Sequence, residues 1–128
     1  MHDHESEERS EVLERQALDN IRTLQRDGEE SVLRKFVRVY RQTSADLLER
    51  LRSALAARDA EGIDHSAHTL KSCSANMGAT RLASLCKQLE RAGKENDLEP
   101  AAELLAGIER EYEAVCQALT VECEHEAA

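Results

Sequence analysis

Residues 29 to 61 contain neither proline nor glycine. Within that stretch, ESVLRKFVRVYRQTSADLLERLRSALAARD carries Leu33, Phe36, Val37, Tyr40, Ser44, Leu47, Leu51, Ala54 and Leu55 at spacings of three and four. That is the period of a helix with one buried face. The run predicts one long helix, on the order of 40 Å at about 1.5 Å per residue. No other feature limits the fold as strongly. The rest of the composition agrees: one Pro, five Gly, one Phe, two Tyr and no Trp in 128 residues. With Ala, Leu, Glu and Arg abundant, this favours helix. So few aromatics also argue against an all-β fold and against stacking platforms for single-stranded nucleic acid.

The other segments follow the same pattern. A short helix is expected over 12–26, with Leu13, Ala17, Leu18, Ile21 and Leu24 on one side and Asp27-Gly28 as its break. After a turn at Glu61-Gly62 or just before it, a helix covers about 61–77 and stops at Gly78, a residue suited to a left-handed cap. Another spans about 80–93, with Leu82, Leu85, Cys86 and Leu89 as its stripe. Asp97 is placed to cap the last helix and Pro100 fits its first turn. Its stripe is Leu104, Leu105, Ile108, Tyr112, Val115 and Leu119. Short connections make this an all-α, antiparallel up-down four-helix bundle over residues 12–121, with a short additional N-terminal helix. Residues 1–11 read as a disordered acidic tail and residues 122–128 as a frayed end.

Charge and motifs exclude several functions. A net charge of −9 opposes general binding to nucleic-acid phosphates. No apolar run approaches the roughly 20 residues that span a bilayer, and MHDHESEERS lacks the apolar core of a signal peptide. A cytoplasmic location is expected, with Cys73, Cys86, Cys116 and Cys123 as reduced thiols. Neither G-x-G-x-x-G, G-x-x-x-x-G-K-[ST] nor H-E-x-x-H occurs.

The segment AHTLKSCSAN, residues 67–76, stands out. Stepping about 100° per residue from Ile63 brings Ala67, Leu70, Ser74 and Met77 back to within about 40° of it. His68 falls at about 140°, Lys71 at about 80° and Ser72 at about 180°. His68 therefore looks outward, Lys71 lies beside it at i+3, Asp64 shares its side, and Ser72 leaves room at i+4. Two readings fit: an ordinary exposed His–Lys pair, or a nucleophile and the cation that stabilises what it carries. A neutral imidazole is a good nucleophile near neutral pH, and an ammonium one turn away can bind an attached phosphoryl group. The segment 79–94 adds Arg81, Lys87, Arg91 and Lys94 against Glu90, a basic helix that suits an acidic partner surface.

AHTLKSCSANMGATRLASLCKQLE resembles the signature of histidine-containing phosphotransfer (HPt) domains of two-component phosphorelays, roughly A-H-x-L-K-G-S-S/A, G-A, L and C-x-x-L-E. Ala67, His68, Leu70, Lys71, Ser74, Gly78, Ala79, Leu82, Cys86, Leu89 and Glu90 stand in register. The resemblance covers about residues 12–121. It implies that His68 is phosphorylated at its solvent-facing ring nitrogen and that Lys71 stabilises the phosphoryl group. It implies receiver domains as partners, met by Asp64, Ser72, Arg81, Lys87, Gln88, Glu90 and Arg91. It also implies no cofactor and no metal of the chain's own: the receiver supplies the aspartate and the Mg²⁺. A hybrid sensor histidine kinase is a further expected partner, in cis or in trans. Relatives that place a Gln near the His have Glu90 here, with Gln88 close by in sequence. The Gly and Ser that usually follow the Lys are Ser72 and Cys73, and the Ser72 hydroxyl is a candidate contact for a phosphoryl oxygen. Two alternatives stand beside this reading. One is a metal-binding bundle using Asp64, His65 and His68. The other is a dimerisation or docking bundle that binds a receiver without transferring phosphate.

Overall fold

The computed structural model describes residues 12–126, so the acidic tail at 1–11 lies outside the described residues. Five helices follow one another: α1 (Arg15–Arg22), α2 (Val32–Ala56), α3 (Ala60–Asn76), α4 (Thr80–Lys94) and α5 (Ala101–Glu124). The described residues contain no strand. Helices α2 to α5 pack in a closed ring, α2 on α3, α3 on α4, α4 on α5 and α5 on α2. Cross-links fix the directions. Ser44 meets Tyr112, and Arg34 reaches the Cys123 carbonyl. Higher numbers on α2 thus face lower numbers on α5. On α3, Ser74 meets Tyr40, while the turn-end Gly62 approaches Ala54. The result is the expected up-down bundle.

The turns share one chemistry. Helix α2 ends with Asp59 N–H donating to Ala54 O and Arg58 N–H to Leu55 O. Helix α3 ends with Ala79 N–H on Ser74 O and Gly78 N–H on Ala75 O, and α4 with Asp97 N–H on Ala92 O and Asn96 N–H on Gly93 O. Each pair is the double bond of a left-handed cap, which satisfies carbonyls that the helix leaves open. Gly78, at φ 82°, is the expected stop. Arg58 and Asn96 hold the same conformation at φ 53° and 51°, and neither was foreseen as a stop. The Asp59 carboxylate then accepts from Gly62 N–H and caps α3. Asp97 does not cap α5. Its carboxylate accepts from Glu99 N–H, and the N-cap is Pro100, without a side-chain cap bond. Its backbone is committed to closing α4, three residues too early to reach α5.

The core comprises the expected stripes, including Leu33, Leu51, Ile63, Leu70, Leu82, Ile108 and Leu119. Its buried hydroxyls are paired, as burial requires. Tyr40 meets Ser74 at 2.9 Å, and Ser44 meets Tyr112 at 2.8 Å. This explains two serines inside apolar stripes. Two expected core residues are exposed: Leu24, because α1 ends at Arg22, and Phe36, on the edge of the α2 stripe.

Helix α1 covers the end of the bundle where α2 starts, α5 ends and α3 turns into α4. Leu18 and Ile21 are buried there, and Glu14 N–H donates to Gly78 O at 2.7 Å. Residues 122–126 are therefore not frayed. Helix α5 continues to Glu124, Glu122 pairs with Arg15 and Arg22, and Glu126 pairs with Arg22. Burial alone would raise the Glu122 carboxyl, but the two guanidinium groups outweigh it and hold it below its usual range.

Helices α3 and α4 make the most extensive contact in the bundle, and Gly93 permits their closest approach. A Cβ at Gly93 would lie 2.7 Å from both Ala60 O and Asp64 N. Both are backbone atoms and cannot swing aside. Gly93→Ala is expected to lower stability by about 1–3 kcal/mol, the usual cost of overpacking. A urea midpoint that does not move would show that the helices separate freely here.

Candidate functional site

Helix α3 turns Ile63, Ala67, Leu70 and Ser74 into the core, and this sets the direction of everything between them. His68 stands out from the opposite side with 59% of its side chain exposed. Lys71, one turn on and nearer the core stripe, is 28% exposed. The helical reading of these two residues holds.

Beneath them lies Glu90 of α4, only 6% exposed. Its Oε2 is 2.9 Å from His68 Nδ1, and its Oε1 accepts from Lys71 Nζ at 2.7 Å. Lys94 Nζ approaches the same Oε2 at 3.5 Å and Asp64 Oδ1 at 3.5 Å. A carboxylate at this depth survives only if it is paired. Burial pushes the Glu90 carboxyl up, but its bonds to Lys71 and His68 more than reverse this and hold it below its ordinary value. Glu90 is thus an anion at neutral pH, and an anion accepts protons rather than donating them. His68 must therefore carry its proton on Nδ1. In the neutral ring this leaves the lone pair on Nε2, on the far side and away from the carboxylate.

This arrangement changes one expectation. Glu90 does not face a partner: it is buried and faces His68. The remaining expected docking residues separate by geometry. Asp64 is half-buried on the His68 side and pairs with Lys94. Ser72 is exposed, and its hydroxyl donates to the His68 carbonyl at 3.2 Å, so it is already committed to the backbone. Lys87, Gln88, Arg81 and Arg91 are all exposed. On the α4 wheel Lys87 lies within about 60° of Glu90 and Arg91 at about 100°, while Gln88 and Arg81 turn about 160–180° away. Arg81 also sits about 14 Å along the helix from Glu90. The structure brings Lys94 to the site, a residue the sequence reading left among the general basic charges. Its i+4 spacing from Glu90 was the available signal.

The metal alternative finds no geometry here. His65 is exposed, and among the described residues no group of three His, Cys, Asp or Glu side chains converges. Cys86 is fully buried, and burial pushes its thiol up to about 12, so it serves packing. No helix among the described residues is long and apolar enough to cross a membrane. Beside the α3 face lies an open, apolar groove of about 380 Å³, formed by Phe36, Val39, Tyr40, Cys73 and Met77.

A four-helix bundle that presents an imidazole to solvent, with a cation one turn away and its tautomer set from below, has the form of a histidine phosphotransfer carrier. The comparisons agree. The Hpt domain family model matches residues 35–118. The crystal structure of histidine-containing phosphotransfer protein B from Pseudomonas aeruginosa PAO1 superposes with a TM-score of 0.83 at 29% identity, over 92% of this chain and 99% of that one. No curated protein sequence matches the chain. The chain belongs to the Hpt domain family, and it is a phosphotransfer intermediate of a two-component phosphorelay rather than a kinase. Domains of this family work with response-regulator receiver domains.

The Glu90 network has a consequence for stability. Its carboxyl is lowered in the folded state, so the folded protein binds fewer protons than the unfolded chain around the ordinary carboxylate range. The contribution is present above the ordinary carboxylate value of 4.5 and is lost as the pH falls through the lower folded value. Glu90→Gln is expected to flatten the acid limb of the stability curve. Identical urea midpoints against pH for both proteins, between about pH 3 and 6, would contradict this.

Proposed function

We propose that His68 Nε2 is the atom that takes the phosphoryl group from a receiver aspartyl phosphate and passes it to a second receiver. The observation that carries this reading is the hydrogen bond between His68 Nδ1 and the buried Glu90 carboxylate. It presents the lone pair at Nε2, on a ring that is more than half exposed. In transfer, the Nε2 lone pair attacks phosphorus as the P–O bond to the receiver aspartate breaks. That electron pair leaves with the aspartate carboxylate. The proton stays on Nδ1, and the positive charge that develops on the ring faces Glu90. Lys71 turns its ammonium to the phosphoryl oxygens. The chain's own part is positioning and electrostatic stabilisation, with no ATP site of its own. The receiver supplies the aspartate and the Mg²⁺.

The exposed Phe36 and Val39 support a docking role for the α2–α3 groove. Asn76, which lines it, lies two turns from His68 on the same side of α3, about 12 Å along the helix. A receiver seated there would cover both groove and imidazole and exclude water from the transfer. Lys87 and Arg91 stand on the other flank, suited to the acidic site of a receiver. A hybrid sensor histidine kinase, in cis or in trans, is the expected source of phosphate, and the cytoplasm the expected compartment.

Incubation with a phosphorylated receiver should yield acid-labile phosphate on His68, with a nitrogen-15 signature of an Nε2-phosphorylated ring. His68→Gln should take up none while keeping its helical circular dichroism. Lys71→Met should slow transfer by about ten- to hundredfold, the value of a lost charge-assisted hydrogen bond. Phosphate on another residue, or uptake by His68→Gln, would overturn the assignment. A wild-type protein that binds the receiver but takes no phosphate would favour the docking-only alternative.

A further inference from the structure

Glu90 is held by more cations than the resting site requires. Lys71 Nζ already makes a full-strength contact at 2.7 Å, and His68 Nδ1 another at 2.9 Å. Lys94 Nζ then stands 3.5 Å from Oε2 and 3.5 Å from Asp64 Oδ1. These are ion-pair distances, well beyond the roughly 2.7–2.9 Å of a tight charge-assisted hydrogen bond. Lys94 is 59% exposed and has room to close on either carboxylate.

Phosphorylation would disturb this balance. A phosphoryl group on Nε2 adds about two negative charges, and Lys71 is the ammonium one turn away. Lys71 gives Glu90 Oε1 one of its three N–H donors, and turning the ammonium toward phosphoryl oxygens shares its charge between two anions and weakens that bond. The buried carboxylate would then keep the imidazolium, a weakened Lys71 bond and the long Lys94 contact beside a new anion, and an underpaired buried charge is unfavourable.

We propose that Lys94 is the relief cation of this site: when Lys71 turns from Glu90 to the phosphoryl group, Lys94 leaves Asp64 and closes on Glu90. This exchange of partners is a positioning role for Lys94, and it sets how far the transfer equilibrium lies toward phospho-His68. It rests on the reading of His68 as the phosphoryl acceptor. The bonds made and broken are those of the transfer itself: Nε2–P forms, the aspartyl P–O bond breaks, and no proton leaves Nδ1.

The test is the equilibrium constant for transfer between a phosphorylated receiver domain and the full chain. Lys94→Met is expected to shift it toward the phosphoreceiver by about two- to fivefold, as for a partly exposed ion pair. Lys94→Arg should restore it. In a Glu90→Gln background, where no buried anion needs relief, Lys94→Met should change nothing. An unchanged equilibrium in Lys94→Met, no rescue by Lys94→Arg, or the same shift with and without Glu90 would overturn the proposal. A wild-type chain that takes no phosphate at all would instead overturn the reading of His68, and this inference with it.

Discussion

The site depends on a carboxylate placed where a carboxylate is hardest to keep. Glu90 is buried under α3, and it remains ionised because Lys71 and His68 both bind it. The same pair of bonds that keeps it charged also orients the imidazole and holds the ammonium in place. A neutral amide at this position would present both an acceptor and a donor and would not select one tautomer. The anion selects one, because only Nδ1–H satisfies it.

This arrangement requires α3 and α4 to sit close and in a fixed register. Gly93, three residues beyond Glu90, supplies the closeness: its missing side chain lets the Asp64 backbone rest against it. The turn between the helices supplies the register, through the left-handed Gly78 and the bonds that close α3. The N-terminal segment holds that turn through Glu14, and α1 is in turn tied to α5 by Glu122 and Glu126. Stability contributed at the far end of the bundle therefore reaches the site through the α3–α4 connection. The imidazole itself stays free to meet a partner.

Much of the fold was legible because helical periodicity is local. The stripe through Leu33, Tyr40 and Leu51, the outward His68 and the neighbouring Lys71 all follow from spacing along one helix. What was misread shares a different cause. Glu90 was placed on the docking face because its partners lie about twenty residues away on α3. Residues beyond 121 were expected to fray because the arginines that pair Glu122 and Glu126 lie near the other terminus. Arg58 gave no stop signal, since arginine rarely takes the left-handed conformation, whereas Asn96, of a type that takes it readily, was a signal that went unread.

By itself, then, the sequence determined the helices, their buried faces, the exposure of His68 and the family to which its motif points. Each is a property of residues within a few turns of one another. Only the tertiary structure decided which nitrogen of His68 faces the carboxylate, how Glu90 stays ionised beneath it, and that Lys94 belongs to the site. Those are matters of charge between helices. Coulomb interactions and burial depend on distance in space, and the distance between two side chains on different helices is set only when the helices pack.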